Sequence, residues 1–219
     1  MVAVAVLVAG CGGGSSSNGE ASKPPKQVLA DAQQAIAAAS SVHVAGKISE
    51  GGTALGLDLR MTRGKGATGN LSENGLSFDL VRIGSVAYVR GSDAFYKKFA
   101  GAAVAQLLHG KWLKGSTTTG DFASLAPLSD MKAFFARLTG SHGTLKNEGE
   151  TTFHGQKAVA IKDTTKGGTL YIAATGKPLP LGLVGGGSNQ GTVTFDQWDK
   201  DVPLKAPAGA IDFSKLGSG

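Results

Sequence analysis

Few residues of this 219-residue chain could do chemistry, and their spacing argues against most reactions. The four histidines, His43, His109, His142 and His154, lie far apart and show no metal-ligand spacing. Each reads as a surface or turn histidine. Glu148 and Glu150 point to one side of an alternating segment, and Asp196, Asp199 and Asp201 cluster late in the chain. Paired carboxylates can do acid–base work, but on an alternating strand they read as a wet face. Gly64-Lys65-Gly66-Ala67-Thr68-Gly69 has the G-x-G-x-x-G spacing, which cradles a pyrophosphate only where a helix follows. Here strand and turn residues follow, so the segment reads as a hairpin. Neither a G-x-S-x-G nucleophile elbow nor a Walker A loop occurs. Asn70-Leu71-Ser72 fits the glycosylation sequon and nothing else calls for its use. The expectation is a protein with no catalytic residues, no metal and no cofactor, and not an enzyme.

The exception is Cys11, the chain's one cysteine. Val2 to Ala9 is an unbroken apolar run, Ala9-Gly10 precede the cysteine, and three glycines and three serines follow it. A short apolar segment with small residues at its end has the grammar of a signal peptide. With cysteine next in line, it resembles the lipobox of bacterial lipoproteins, in which that cysteine is acylated and becomes the mature N-terminus. The run is too short to span a bilayer, which takes about 20 apolar residues. No Lys or Arg precedes it, so either the signal peptide is truncated or the similarity is accidental. The expected layout is a signal peptide over 1–10, a lipidated cysteine with a flexible Gly/Ser/Pro tether over 11–25, and one domain over 26–219.

Bulk properties fit an exported single domain. With one cysteine no disulfide can form within the chain, so the fold depends on its core. Charged residues make up 17% and the net charge is +6, a balance suited to a surface near anionic lipid or polymer. Lys and Arg are scattered without a run of four, which argues against nucleic acid.

Pro24-Pro25 mark a helix start, and Val28, Leu29, Ala32, Ile36 and Ala39 recur at helical spacing. From Val42 to Arg90 the period changes to two. Leu55, Leu57, Leu59 and Met61 alternate with polar residues or glycine, as do Leu76, Phe78 and Leu80. Glycine-rich turns separate these runs, and Asn74-Gly75 is a strong hairpin signal. The expectation is a five-stranded antiparallel meander, apolar on one face. Ala94–Leu108 reads as helical, a polar loop runs from Gly115 to Gly120, Asp121 caps a short turn, and Ser129-Asp130 opens a helix through Leu138. This block is expected to cover the sheet. Strands then resume at 143–152, 156–163, 169–173 and 191–198. Pro180, between two of them, argues for an edge position, and Pro203, Pro207 and Gly209 break the C-terminal tail.

The order of elements, with several short motifs, resembles the LolA-like lipoproteins that include mycobacterial glycolipid carriers. The residues behind the resemblance are Ser41-Val42-His43-Val44-Ala45-Gly46, Val86-Ala87-Tyr88-Val89-Arg90-Gly91 and Gly110-Lys111-Trp112. Further on they are Phe153-His154-Gly155-Gln156-Lys157-Ala158-Val159, Leu170-Tyr171-Ile172-Ala173 and Gly176-Lys177-Pro178-Leu179-Pro180. The resemblance implies an α+β fold: a strongly curved antiparallel half-barrel with helices on its concave apolar face and a cavity for acyl chains between them. By face, the candidate lining residues are Leu55, Leu57, Leu59, Leu76, Phe78 and Leu80 on strands, with Phe99, Leu107, Phe134 and Phe135 above. The implied role is a lipoprotein, held by acylated Cys11 on the extracytoplasmic face of the cell membrane. It would bind lipid or glycolipid and work with envelope transport proteins. The alternative is an envelope sensor or accessory lipoprotein that uses the same fold to bind a protein partner.

Overall fold

The structure is a computed structural model that describes residues 16–50 and 52–215. Helix α1 (Pro25–Ala38) leads into five strands: β1 (Ser41–Glu50), β2 (Thr53–Thr62), β3 (Gly66–Glu73), β4 (Leu76–Ile83) and β5 (Val86–Gly91). Helices α2 (Asp93–Ala100) and α3 (Ala102–Leu108) follow, then β6 (Leu113–Ser116), α4 (Ala126–Ser129) and α5 (Met131–Gly140). The last third supplies β7 (Leu145–Phe153), β8 (Gln156–Asp163), β9 (Thr169–Ala173), β10 (Pro180–Val184), β11 (Gln190–Asp196) and β12 (Ile211–Asp212). All twelve strands form one sheet in the order β12-β6-β5-β4-β3-β2-β1-β11-β10-β9-β8-β7. Two meanders thus meet where β1 pairs with β11, from His43↔Asp196 to Ser49↔Gln190. The sheet is curved and does not close. It is α+β as expected, though the parallel β12–β6 pair makes the sheet mixed.

Period-two burial builds the core. On β2, Leu57, Leu59 and Met61 are buried while Asp58 between them is exposed. They join Val42, Val44, Leu71, Leu80, Val89, Val193 and Phe195 in one cluster that α5 covers with Met131 and Phe135. Each such side chain contributes about 1.5–3 kcal/mol by leaving water. Helix α1 spans both meanders through its apolar stripe. Val28 and Ala32 pack with Val159, Ile161 and Ile172, while Ile36 enters the larger cluster. At the β3–β4 hairpin, Asn74 (φ 49) and Gly75 (φ 83) supply the two positive φ values that a type I′ turn needs.

Five local expectations change. Gly101, at φ 84, divides the expected helix into α2 and α3. The expected polar loop begins with β6, whose Gly115 and Ser116 pair with Ala87 and Val86. The short turn after Asp121 (Ala123–Leu125) has Phe122 at its N-cap and no side-chain cap. Pro180 lies inside the sheet, in β10 between β9 and β11, where it is the first residue of its strand and sits at a register shift, both positions at which a sheet accepts proline. The C-terminal tail contributes β12, two residues paired with β6.

Strand direction fixes which residues share an end of the sheet. β2 and β9 run the same way, since β1, β11 and β10 stand between them in antiparallel pairs. The residues just after them, Arg63 and Thr175, therefore lie on the same rim.

Candidate functional site

On that rim the last turn of α1 meets the first turn of α5. Arg63, in the β2–β3 turn, donates through Nη2 to Ile36 O (3.1 Å) and Ala39 O and through Nη1 to Ala37 O. A guanidinium there satisfies carbonyls left without partners at a helix C-terminus and complements its partial negative charge. α5 is held by Asp130. Its Oδ1 accepts from Ala133 N (2.9 Å) as an N-cap, and its Oδ2 accepts from Arg82 Nη2 (3.1 Å) on β4. Further along, Gln33 Nε2 donates to Thr139 Oγ1 (3.1 Å), tying α1 to α5.

Between these ties the two helices leave a cleft of about 310 Å³. Ile36, Ala37, Met131, Phe135 and Ala136 make it apolar, and Gln33, Arg63, Lys132 and Thr139 are its polar lining. The volume is at the small end of ligand sites, which run from about 300 to 1,000 Å³. The space exists because Ala37 and Ala136, which are small, stand where longer side chains would meet.

Of the ten lining candidates named by strand and helix face, only Phe135 borders this cleft. Leu57, Leu59 and Leu80 are buried in the main cluster, while Leu55, Phe78 and Phe134 pack partly buried against it. Leu76 is half-buried. Leu107 is 69% exposed on α3. Cys11 and the Phe99 side chain lie outside the described residues.

The segment expected as a flexible tether is packed from Ser17 onward. Ser17 bridges Thr175, and Asn18 N donates to Ala174 O (2.9 Å). The Asn18 side chain donates to Ala173 O (2.8 Å). Asn147 on β7 donates to the carbonyls of Glu20, Ala21 and Lys23. Lys23 reaches both Asp31 and Glu20 at 2.7 Å, and the Asp31 bond leads in raising its pKa. The chain therefore enters the domain at the rim that carries Arg63.

The titratable residues do separate structural work. His43 lies between Asp196 (2.7 Å) and Asp58 (3.0 Å) on the outer face, and His109 pairs with Asp93 (2.8 Å). Glu148 pairs with Lys146 (3.0 Å), while Glu150 accepts from Ser17. Asp199 accepts from Ser40 N (2.7 Å) and Lys177 (3.1 Å), which hold its carboxyl below the usual value. Burial pushes Asp163 up, yet bonds from the Lys166, Gly143 and Thr165 amides outweigh it and lower its pKa. Among the described residues, no group of three or more His, Cys, Asp or Glu could hold a metal ion. The G-x-G-x-x-G segment is the β2–β3 hairpin, with Thr62 paired to Gly66. Its Gly69, at φ 151, lies so close to Asp58 that a Cβ would overlap the Asp58 carbonyl. No helix among the described residues is long and apolar enough to cross a membrane.

An unclosed, curved sheet with helices against its apolar face is the architecture of the LolA-like lipoproteins. The chain is similar in structure to LprF from Mycobacterium bovis, with TM-score 0.57 and 17% identity over 90% of this chain and 100% of that one. It is similar also to the lipoprotein LppX from Mycobacterium tuberculosis, with TM-score 0.50 and 17% identity over 82% and 99%. No protein-family model matches the chain, and no curated protein matches it in sequence. At this identity the likeness is one of fold.

Proposed function

We propose that this protein is an envelope lipoprotein, anchored through acylated Cys11, that shelters lipid or glycolipid acyl chains in the cleft between α1 and α5. It acts as a binding protein without a catalytic step and works on the extracytoplasmic face of the cell membrane. The observation that carries this reading is the apolar, two-helix cleft on a fold shared with LprF and LppX. Burial gives about 0.8 kcal/mol per CH₂, so a ten-carbon stretch gains about 8 kcal/mol before ordering costs. That corresponds to micromolar affinity at best, which suits a site that must both take and release its load.

Two measurements test the two halves of the proposal. Lipid extracted from the purified protein and identified by mass spectrometry should disappear in Ala136→Trp, which fills the cleft from an exposed helix position. Retention of the same lipid by that variant rules out the cleft as its site. For the anchor, Cys11→Ala should move the protein from the membrane fraction to the medium; membrane retention rules out lipidation there.

A further inference from the structure

We infer that the cleft selects lipids with an anionic headgroup, an inference that rests on the lipid-binding reading above. Among its polar lining residues, Arg63 and Lys132 are cationic and Gln33 and Thr139 are neutral; no carboxylate lines it. The nearby carboxylate, Asp130, is outside the lining and already shared between Arg82 and the first turn of α5. Lys132 is exposed and forms no ion pair within 4 Å among the described residues. Arg63 spends three donations on α1 carbonyls, and no carboxylate balances its charge. A chain threaded along Ile36, Met131 and Phe135 would leave its headgroup beside these two cations. The cleft interior holds no net negative charge to oppose an anion. A phosphate or a carboxylate head meets the requirement equally; a head without net negative charge does not, so a glycolipid meets it only where its head carries an anionic group.

The test is calorimetric titration of the purified protein with single-chain amphiphiles of equal length, each kept below its micelle concentration. Dodecyl phosphate and dodecanoate should bind about fivefold more tightly than dodecylphosphocholine or dodecyl maltoside, the scale expected for one exposed charge contact. The preference should shrink toward one in Lys132→Glu and, in the unaltered protein, at 1 M salt, where charges beyond about 3 Å are screened. A larger gain for dodecyl phosphate than dodecanoate points to a phospholipid-type head, and the reverse to a fatty acid. Equal affinity for anionic and net-neutral heads overturns the inference and leaves the lipid-binding reading standing. Binding of none of the four overturns both. A preference untouched by salt and by Lys132→Glu places the selectivity elsewhere and also overturns the inference.

Discussion

Asp130 Oδ2 lies 3.1 Å from Arg82 Nη2, so one carboxylate both caps α5 and neutralises the guanidinium of an arginine whose side chain is only 11% exposed. Arg82 Nη1 also donates to Gly84 O (3.0 Å), whereas its buried Nε has no partner. The helix that walls the cleft is thereby pinned to β4 at its first turn.

Removing that carboxylate should be costly. Asp130→Ala loses a cap, worth about 0.5–2 kcal/mol, and leaves a nearly buried cation unpaired. A total of about 2–4 kcal/mol is expected by urea unfolding. Asp130→Asn keeps the cap and should lose less. Equal losses for the two variants would show that the cap contributes nothing and that the loss is the ion pair's.

Phe135 and Ala136 are adjacent on α5 and should respond in opposite ways. Phe135 is buried against Phe195 and Trp198, with ring centroids 5.2 and 5.4 Å away. Phe135→Ala should cost about 3–5 kcal/mol. Ala136→Trp, at an exposed position, should leave stability within about 0.5 kcal/mol while abolishing lipid binding. A variant that unfolds at Ala136 would show the cleft to be part of the core.

Gly69 carries a different demand. Alanine there would have to hold φ 151 and overlap the Asp58 carbonyl. Strain of this kind costs about 1–3 kcal/mol by itself, so Gly69→Ala should lower the melting temperature by several degrees at least. An unchanged melting temperature would mean that the β2–β3 pair can shift freely.

Acid should loosen the second meander through Asp163. Its pKa is lowered from the ordinary 3.8, so its stabilising effect is full above about pH 4 and fades as pH falls through the depressed value. The stability gap between the protein and Asp163→Asn should therefore be widest near neutrality and narrow below pH 4. A gap that stays constant with pH would remove the carboxylate's charge from the explanation.

The sheet was legible because its signals are local. Leu57, Leu59 and Met61 declare a buried face by alternation, and Asn74-Gly75 declares its own turn. β6 and β12 were not, since four and two residues are too few to show a period. Pro180 misled because its strand begins at the proline, so the missing N–H says nothing about the strand's neighbours. The cleft was the least legible feature. Its walls come from residues about a hundred positions apart, and what makes it hollow is two alanines that look like ordinary helix formers. Alternation gives the strand leucines a common apolar face, and that face serves a packed core as well as it would a cavity. One signal did point to it: Arg63, in a turn, has no carboxylate partner nearby in sequence, and its partner proves to be the end of α1.

The shared rim of Arg63 and Thr175 limits how far the cleft could travel. Five residues lie between Cys11 and Ser17, a reach of about 20 Å at full extension. A molecule acylated at Cys11 would hold the Thr175 end of that rim within that distance of its own bilayer, with the cleft's mouth farther along the same rim. It would serve as a fixed loading station, and delivery to a distant membrane would fall to a second, diffusible carrier.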